Sequence, residues 1–134
     1  MPKSDNMKKH TEYIEIIGRL PGTNEIITAA KKVGNGSVYT RMKRKFTSEL
    51  AYRFRNGLDG VYELISLKLI WNEKKRYRDP DNVMGGIKFI LDGLVQAGII
   101  PDDNYKHIGA IEQEVKYGEK DSIMVIITGE KLLN

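Results

Sequence analysis

VYELISLKLIWNEKKRYRDPDNVMGGIKFILDGLVQAG, residues 61–98, is the stretch whose reading decides the fold. In its first third, Ile65, Leu67, Leu69 and Trp71 fall on one side of an extended chain, the period of a strand over Val61–Asn72 with one buried face. Trp71 belongs to that face and so to the core. The last third changes period. Val83, Ile87, Ile90, Leu91, Leu94 and Val95 recur at helical spacing, which predicts one amphipathic helix over 82–97, closed by Gly98. Between them, KKRYRDPDN (74–82) sets four cations ahead of two carboxylates and an asparagine. Asp81 or Asn82 is the expected N-cap of the helix.

Outward from this stretch the elements continue to alternate. Tyr13–Leu20, with Ile14, Ile16 and Leu20 on one side, reads as a strand, ended by Pro21-Gly22. Thr23 or Asn24 can cap a short helix through Lys32. Gly34–Ser37 reads as a turn whose glycines lack the spacing of a phosphate-binding loop. From Tyr39 to Arg55 a stripe of Met42, Phe46, Leu50 and Phe54 marks a helix, with Arg41, Arg44 and Lys45 off the stripe and Asn56-Gly57 as its stop. Ile108–Tyr117 and Ser122–Thr128 flank Gly118–Asp121 as two strands of a hairpin would. The expected fold is a single α+β domain over 1–134, a small mixed or antiparallel sheet packed with helices, with residues 1–12 as a flexible N-terminal tail.

Composition narrows the functional classes. The chain has 134 residues, 40% apolar and 30% charged, the profile of one ordinary globular domain. It has no cysteine and two isolated histidines, His10 and His107, so thiolate sites and a zinc site built from histidine are excluded. No apolar run approaches a bilayer span and the first residues, MPKSDNMKKH, lack the apolar stretch of a signal peptide, which makes the cytoplasm the expected location. The net charge of +4 hides an asymmetry: residues 1–78 carry 17 lysines and arginines against 8 carboxylates, residues 79–134 carry 5 against 10. A cationic front half suits a polyanionic partner, because cations that replace condensed counterions on phosphates gain affinity.

The carboxylates suggest the chemistry. DPDN leads into the helix, and a second acidic turn, Asp102-Asp103-Asn104, follows it. At helical spacing Asp81, Gly85, Lys88 and Asp92 share one polar face. Two turns at the ends of a 16-residue helix lie about 24 Å apart, so they meet only if the loop folds back. Three carboxylates gathered into one site repel unless a metal neutralises them, and hard oxygen donors without histidine or cysteine favour Mg²⁺, with Mn²⁺ as a substitute. Such a site beside a basic surface is what phosphodiester hydrolysis requires. Each turn also has a plain structural role, as a helix cap or a loop.

RDPDN, the later LDGL, and the acidic pair in AGIIPDDN together resemble the RusA family of Holliday junction resolvases. The spacing of eleven residues from Asp92 to Asp103 matches that family, and LPGTNE resembles the loop after its first strand, so the likeness covers nearly the whole chain. The resemblance implies a RusA-like α+β homodimer that cuts four-way DNA junctions with Mg²⁺ in recombination and repair. It makes Asp79, Asp81 and Asp103 the catalytic metal ligands, Asp102 their neighbour, and Lys88 the catalytic lysine. Eleven residues from Asp81 to Asp92, against eight in the best-known form, displace Lys88 by nearly one helical turn, and Gly85-Gly86 offers a place for a kink. On this reading Lys74, Lys75, Arg76 and Arg78 grip the phosphates beside the scissile bond. The alternatives are another structure-selective nuclease, for flaps or forks, and a non-catalytic basic DNA-binding protein.

Overall fold

The structure, a computed structural model, describes residues 9–32 and 36–131. In chain order its elements are β1 (Lys9–Ile17), α1 (Thr23–Ala30), α2 (Gly36–Gly57), β2 (Tyr62–Glu73), α3 (Pro80–Met84), α4 (Ile87–Gln96), β3 (Ile108–Tyr117) and β4 (Ser122–Lys131). The strands form one mixed sheet in the order β1-β4-β2-β3, antiparallel except for the parallel pair of β2 and β3. The fold is α+β, as the alternation of periods predicts.

Period-two alternation in β2 becomes packing. Ile65, Leu67, Leu69 and Trp71 lie in register with Gly129, Ile127, Val125 and Ile123 of β4, and all are buried. Phe54, Phe89, Ile90 and Leu94 close over them from α2 and α4. Fully burying each such side chain contributes about 1.5–3 kcal/mol. Met42, Phe46, Leu50 and Phe54 all join this core, so the predicted stripe of α2 is the face it buries. The two helices run side by side in the same direction: Phe46 meets Phe89 at 5.7 Å between ring centroids, Leu50 faces Gly93, and Arg55 Nη2 donates to Gln96 O. Gly93 makes their approach possible, since a Cβ there would lie 2.9 Å from that of Leu50.

Three expectations need correction. The chain from Ile108 to Lys131 is not a hairpin, because β3 and β4 lie on opposite sides of β2. Two sheet spacings, about 10 Å, separate them, a gap a four-residue connection crosses easily. That connection is pinned to the end of β2, with Gly118 N–H donating to Glu73 O and Lys74 N–H to Asp121 Oδ1. The parallel partner β3 takes the edge instead, where its Glu112, Glu114 and Lys116 stay solvated.

The helix predicted over 82–97 is two helices, α3 and α4, interrupted at Gly85-Gly86, and the N-cap position is Asp79 rather than Asp81 or Asn82. Pro80 at the first helical position explains the earlier start. The break is tertiary in origin: a Cβ on Gly85 would collide with Thr23 Oγ1, so the chain turns where α1 presses against it.

Of the stretch expected to be a tail, residues 1–8 lie outside the described residues, and the rest is not a tail. Residues 9–12 belong to β1, and Glu12 is part of the framework: its carboxylate accepts from Asp59 N–H (2.7 Å), Gly60 N–H (2.8 Å) and the Tyr62 hydroxyl. Burial pushes the Glu12 carboxyl up, but these donors outweigh it and hold it below its usual range. The same burial and the same carboxylate push the Tyr62 hydroxyl up. The turn predicted at Gly34–Ser37 falls partly outside the described residues, and from Gly36 the chain is already helical.

Candidate functional site

Both ends of β2 carry functional candidates. Its C-terminal end leads through Lys74–Arg78 into α3, and there two sequence motifs far apart in the chain meet. Gly22 sits against the Asn82 carbonyl, where a Cβ would not fit, and Asn82 Oδ1 accepts from Asn24 N–H at 2.8 Å. The LPGTNE loop is therefore the wall against which DPDN folds. The loop is ordered from within as well, with Gly22 N–H donating to Glu25 Oε1 at 2.9 Å.

Arg78 ties the two motifs together. Its Nε and Nη2 donate to the two oxygens of Glu73 at 2.9 and 2.8 Å, and Nη1 donates to Leu20 O at 3.1 Å and Glu25 Oε1 at 3.0 Å. Arg78 is 4% exposed and Glu73 2%. Hydrogen bonding to Glu73 pushes the Arg78 guanidinium up, against the opposing effect of burial, so Arg78 stays charged. This corrects one sequence assignment. Arg78 does not grip phosphate, because its donors are spent inside the protein on Glu73, Glu25 and the Leu20 carbonyl. Lys74, Lys75 and Arg76 are exposed.

Asp79 and Asp81 follow Arg78 directly, both exposed, and neither is in an ion pair among the described residues. The Tyr117 hydroxyl donates to Arg78 O, which anchors the backbone at Asp79 to the end of β3. Burial and then the Asp79 carboxylate push that hydroxyl up, with Glu73 and Asp81 adding to the effect. The two aspartates thus make a negative corner on a rigid base.

Asp102 and Asp103 are not part of that corner. β3 pairs with β2 from Ile65↔Ile108 to Glu73↔Tyr117, and Tyr62 N–H donates to Ile99 O. The second acidic turn therefore lies at the N-terminal end of β2, about 26 Å of strand from Asp79. The loop does not fold back. Asp102 caps its own turn, accepting from Asp103 N–H at 2.8 Å and Asn104 Nδ2 at 3.2 Å. Among the described residues no three acidic or histidine side chains come together as a metal site.

Lys88 lies in the first turn of α4, with Nζ 4.0 Å from Asp92 Oδ2, and Lys43 of α2 approaches the same oxygen at 3.9 Å. The face expected to join Asp81 to Lys88 and Asp92 is interrupted by the Gly85-Gly86 break, so only Lys88 and Asp92 pair. The partners of Arg78 escaped the sequence reading. Glu25 had a signal, three residues after the Gly22 cap in capping-box position. Glu73 had none, since a buried acid at a strand end looks like any other polar boundary residue.

No protein-family model and no curated protein sequence matches the chain. Among solved structures, a hydrogenase maturation protein HypE in complex with ATP aligns with 95% of this chain and 31% of its own, at 13% identity and a TM-score of 0.39. The chain thus spans about a third of that structure's length, and the likeness is too slight to carry an argument. Among the described residues no helix is long and apolar enough to cross a membrane.

Proposed function

We propose that the chain is a Mg²⁺-dependent endodeoxyribonuclease of RusA type that cuts four-way DNA junctions. The observation that carries the reading is the corner at the end of β2: Asp79 and Asp81 exposed and, among the described residues, unpaired, set on the Arg78 anchor, with Lys74, Lys75 and Arg76 exposed just before them. The donor chemistry fits the ion, since Mg²⁺ keeps several waters and takes one or two carboxylates plus substrate phosphate oxygens. Asp79 and Asp81 hold it, and when bound it supplies a polarised phosphate and an activated water. Lys74, Lys75 and Arg76 bind phosphates flanking the scissile bond, and Lys88 is the candidate to meet the leaving oxygen. Asp103 joins the corner only from a second copy, which agrees with a homodimer acting on a two-fold substrate.

The test is cleavage of a synthetic four-way junction in Mg²⁺, compared with linear duplex, flap and fork DNA. Junction-selective cutting that disappears in Asp81→Asn, with metal-free binding kept, supports the reading. Selectivity for flaps or forks moves the protein to another nuclease class. A second reading, a basic DNA-binding protein without catalysis, is favoured by the distance of Asp103 from the other two aspartates. Tight junction binding with no cutting by the wild type would establish it.

A further inference from the structure

We infer that the outer face of α2 is a binding surface for the phosphate backbone of duplex DNA. At 100° per residue Arg41, Arg44, Lys45, Ser48, Tyr52 and Arg55 fall within an arc of about 100°, opposite the face buried against α4 and the sheet. All six are exposed, Tyr52 to 67%, and Arg55, at the end of the stripe, also donates through Nη2 to Gln96 O of α4. None of the four cations is in an ion pair among the described residues, and the nearest acid on the helix, Glu49, lies off the arc. Arg41 sets a like charge three residues from Arg44 and four from Lys45, spacings that cost an isolated helix a few tenths of a kcal/mol per pair. A solvated helix usually intersperses carboxylates, so a stripe of one sign calls for an anion outside the chain.

Position identifies that anion. The stripe runs about 21 Å along the helix from Arg41 to Arg55. Its Arg41 end is the end that lies on α1, where Val38 and Met42 line one groove with Thr28 and Ala29, and α1 in turn starts against the helix that follows Asp79, with Thr23 on Gly85. The acidic strand β3 is one edge of the sheet, whereas Gly57 of α2 packs on Ile14 of β1, the opposite edge. A duplex arm leaving the corner along α2 meets cations and avoids Glu112 and Glu114. The stripe has no aliphatic side chain to insert among acyl chains, which argues against an anionic membrane. Tyr52 offers a hydroxyl and a flat face among the cations.

The surface rests on the nuclease reading only for the path of the arm, and its test needs no cleavage. Junction and linear-duplex binding by the full chain are followed without metal by fluorescence anisotropy across a salt series. The protein with Arg41→Gln, Arg44→Gln, Lys45→Gln and Arg55→Gln is expected to bind at least about tenfold more weakly at 0.1 M salt. Its log affinity against log salt should be shallower by up to about 3.6 units, about 0.9 for each lost phosphate contact. The pairs Arg41→Gln/Arg44→Gln and Lys45→Gln/Arg55→Gln should each give about half the change, which guards against one misfolded variant. Unchanged affinity and slope in all three would overturn the proposal, whether or not the wild type cuts. So would loss of binding to anionic vesicles with DNA binding untouched. A stripe-dependent slope in a wild-type protein that cuts nothing would keep this surface and remove the nuclease reading.

Discussion

Arg78 and Glu73 meet as a two-pronged pair excluded from solvent, Nε to Oε1 at 2.9 Å and Nη2 to Oε2 at 2.8 Å. The pair sits immediately before Asp79 and reaches through Nη1 to Leu20 O and Glu25. The basic run at 74–78 therefore does two jobs: three of its cations face solvent and the fourth holds the turn that presents the aspartates.

Removing one partner leaves the other as an uncompensated buried charge. Arg78→Met should lower stability by about 3–5 kcal/mol, read as a shift of the urea midpoint. Arg78→Met with Glu73→Leu should recover much of that, because apolar groups in place of both charges remove the desolvation cost as well. An unchanged midpoint in Arg78→Met would mean that the guanidinium is solvated rather than locked.

The contact between LPGTNE and DPDN depends on glycine. Gly22→Ala and Gly85→Ala push a methyl group into Asn82 O and Thr23 respectively, and each should cost about 1–3 kcal/mol by thermal denaturation. Gly118→Ala, whose Cβ would meet nothing within 4 Å, should stay within about 0.5 kcal/mol.

Glu12 makes stability depend on acid. Its carboxyl is held below its usual value of 4.5 in the folded chain, so the unfolded chain takes up a proton first as pH falls. The stabilisation is complete above pH 4.5 and drains away below it as pH approaches the depressed folded value. Melting temperatures from pH 7 to pH 3 should therefore fall less steeply in Glu12→Gln than in the wild type, although Glu12→Gln starts lower at pH 7. Parallel curves would show that this carboxylate is not the coupled group.

If Asp103 completes the corner of a second copy, Asp81→Asn and Asp103→Asn proteins are each inactive alone. Mixed and allowed to exchange subunits, they should recover roughly a quarter of wild-type junction cutting, since half the dimers then hold one intact site. No recovery would confine the site to one chain. Full activity of Asp103→Asn alone would reduce the site to Asp79 and Asp81.

The strands, the buried stripe of α2 and the core position of Trp71 were legible because each obeys a local period that burial imposes along one element. The cations Lys74, Lys75 and Arg76 were legible as exposed charge. Arg78 was not, although it belongs to the same run, because its fate depends on Glu25 and the Leu20 carbonyl more than fifty residues away. The cationic arc of α2 lay within reach of a helical projection, since Arg41, Arg44 and Lys45 already stood off the apolar stripe.

By itself the sequence determined which segments extend and which coil, which face of each is apolar, and that one half of the chain is basic and the other acidic. These are properties of neighbours a few residues apart, written in side-chain size, polarity and charge. Only the tertiary structure decided that β3 and β4 straddle β2, that Thr23 breaks the helix at Gly85, and that the two acidic turns stand at opposite ends of the sheet. The reason is physical: strand order and loop direction follow from which apolar faces bury best against each other across the whole domain, and no local spacing records that competition.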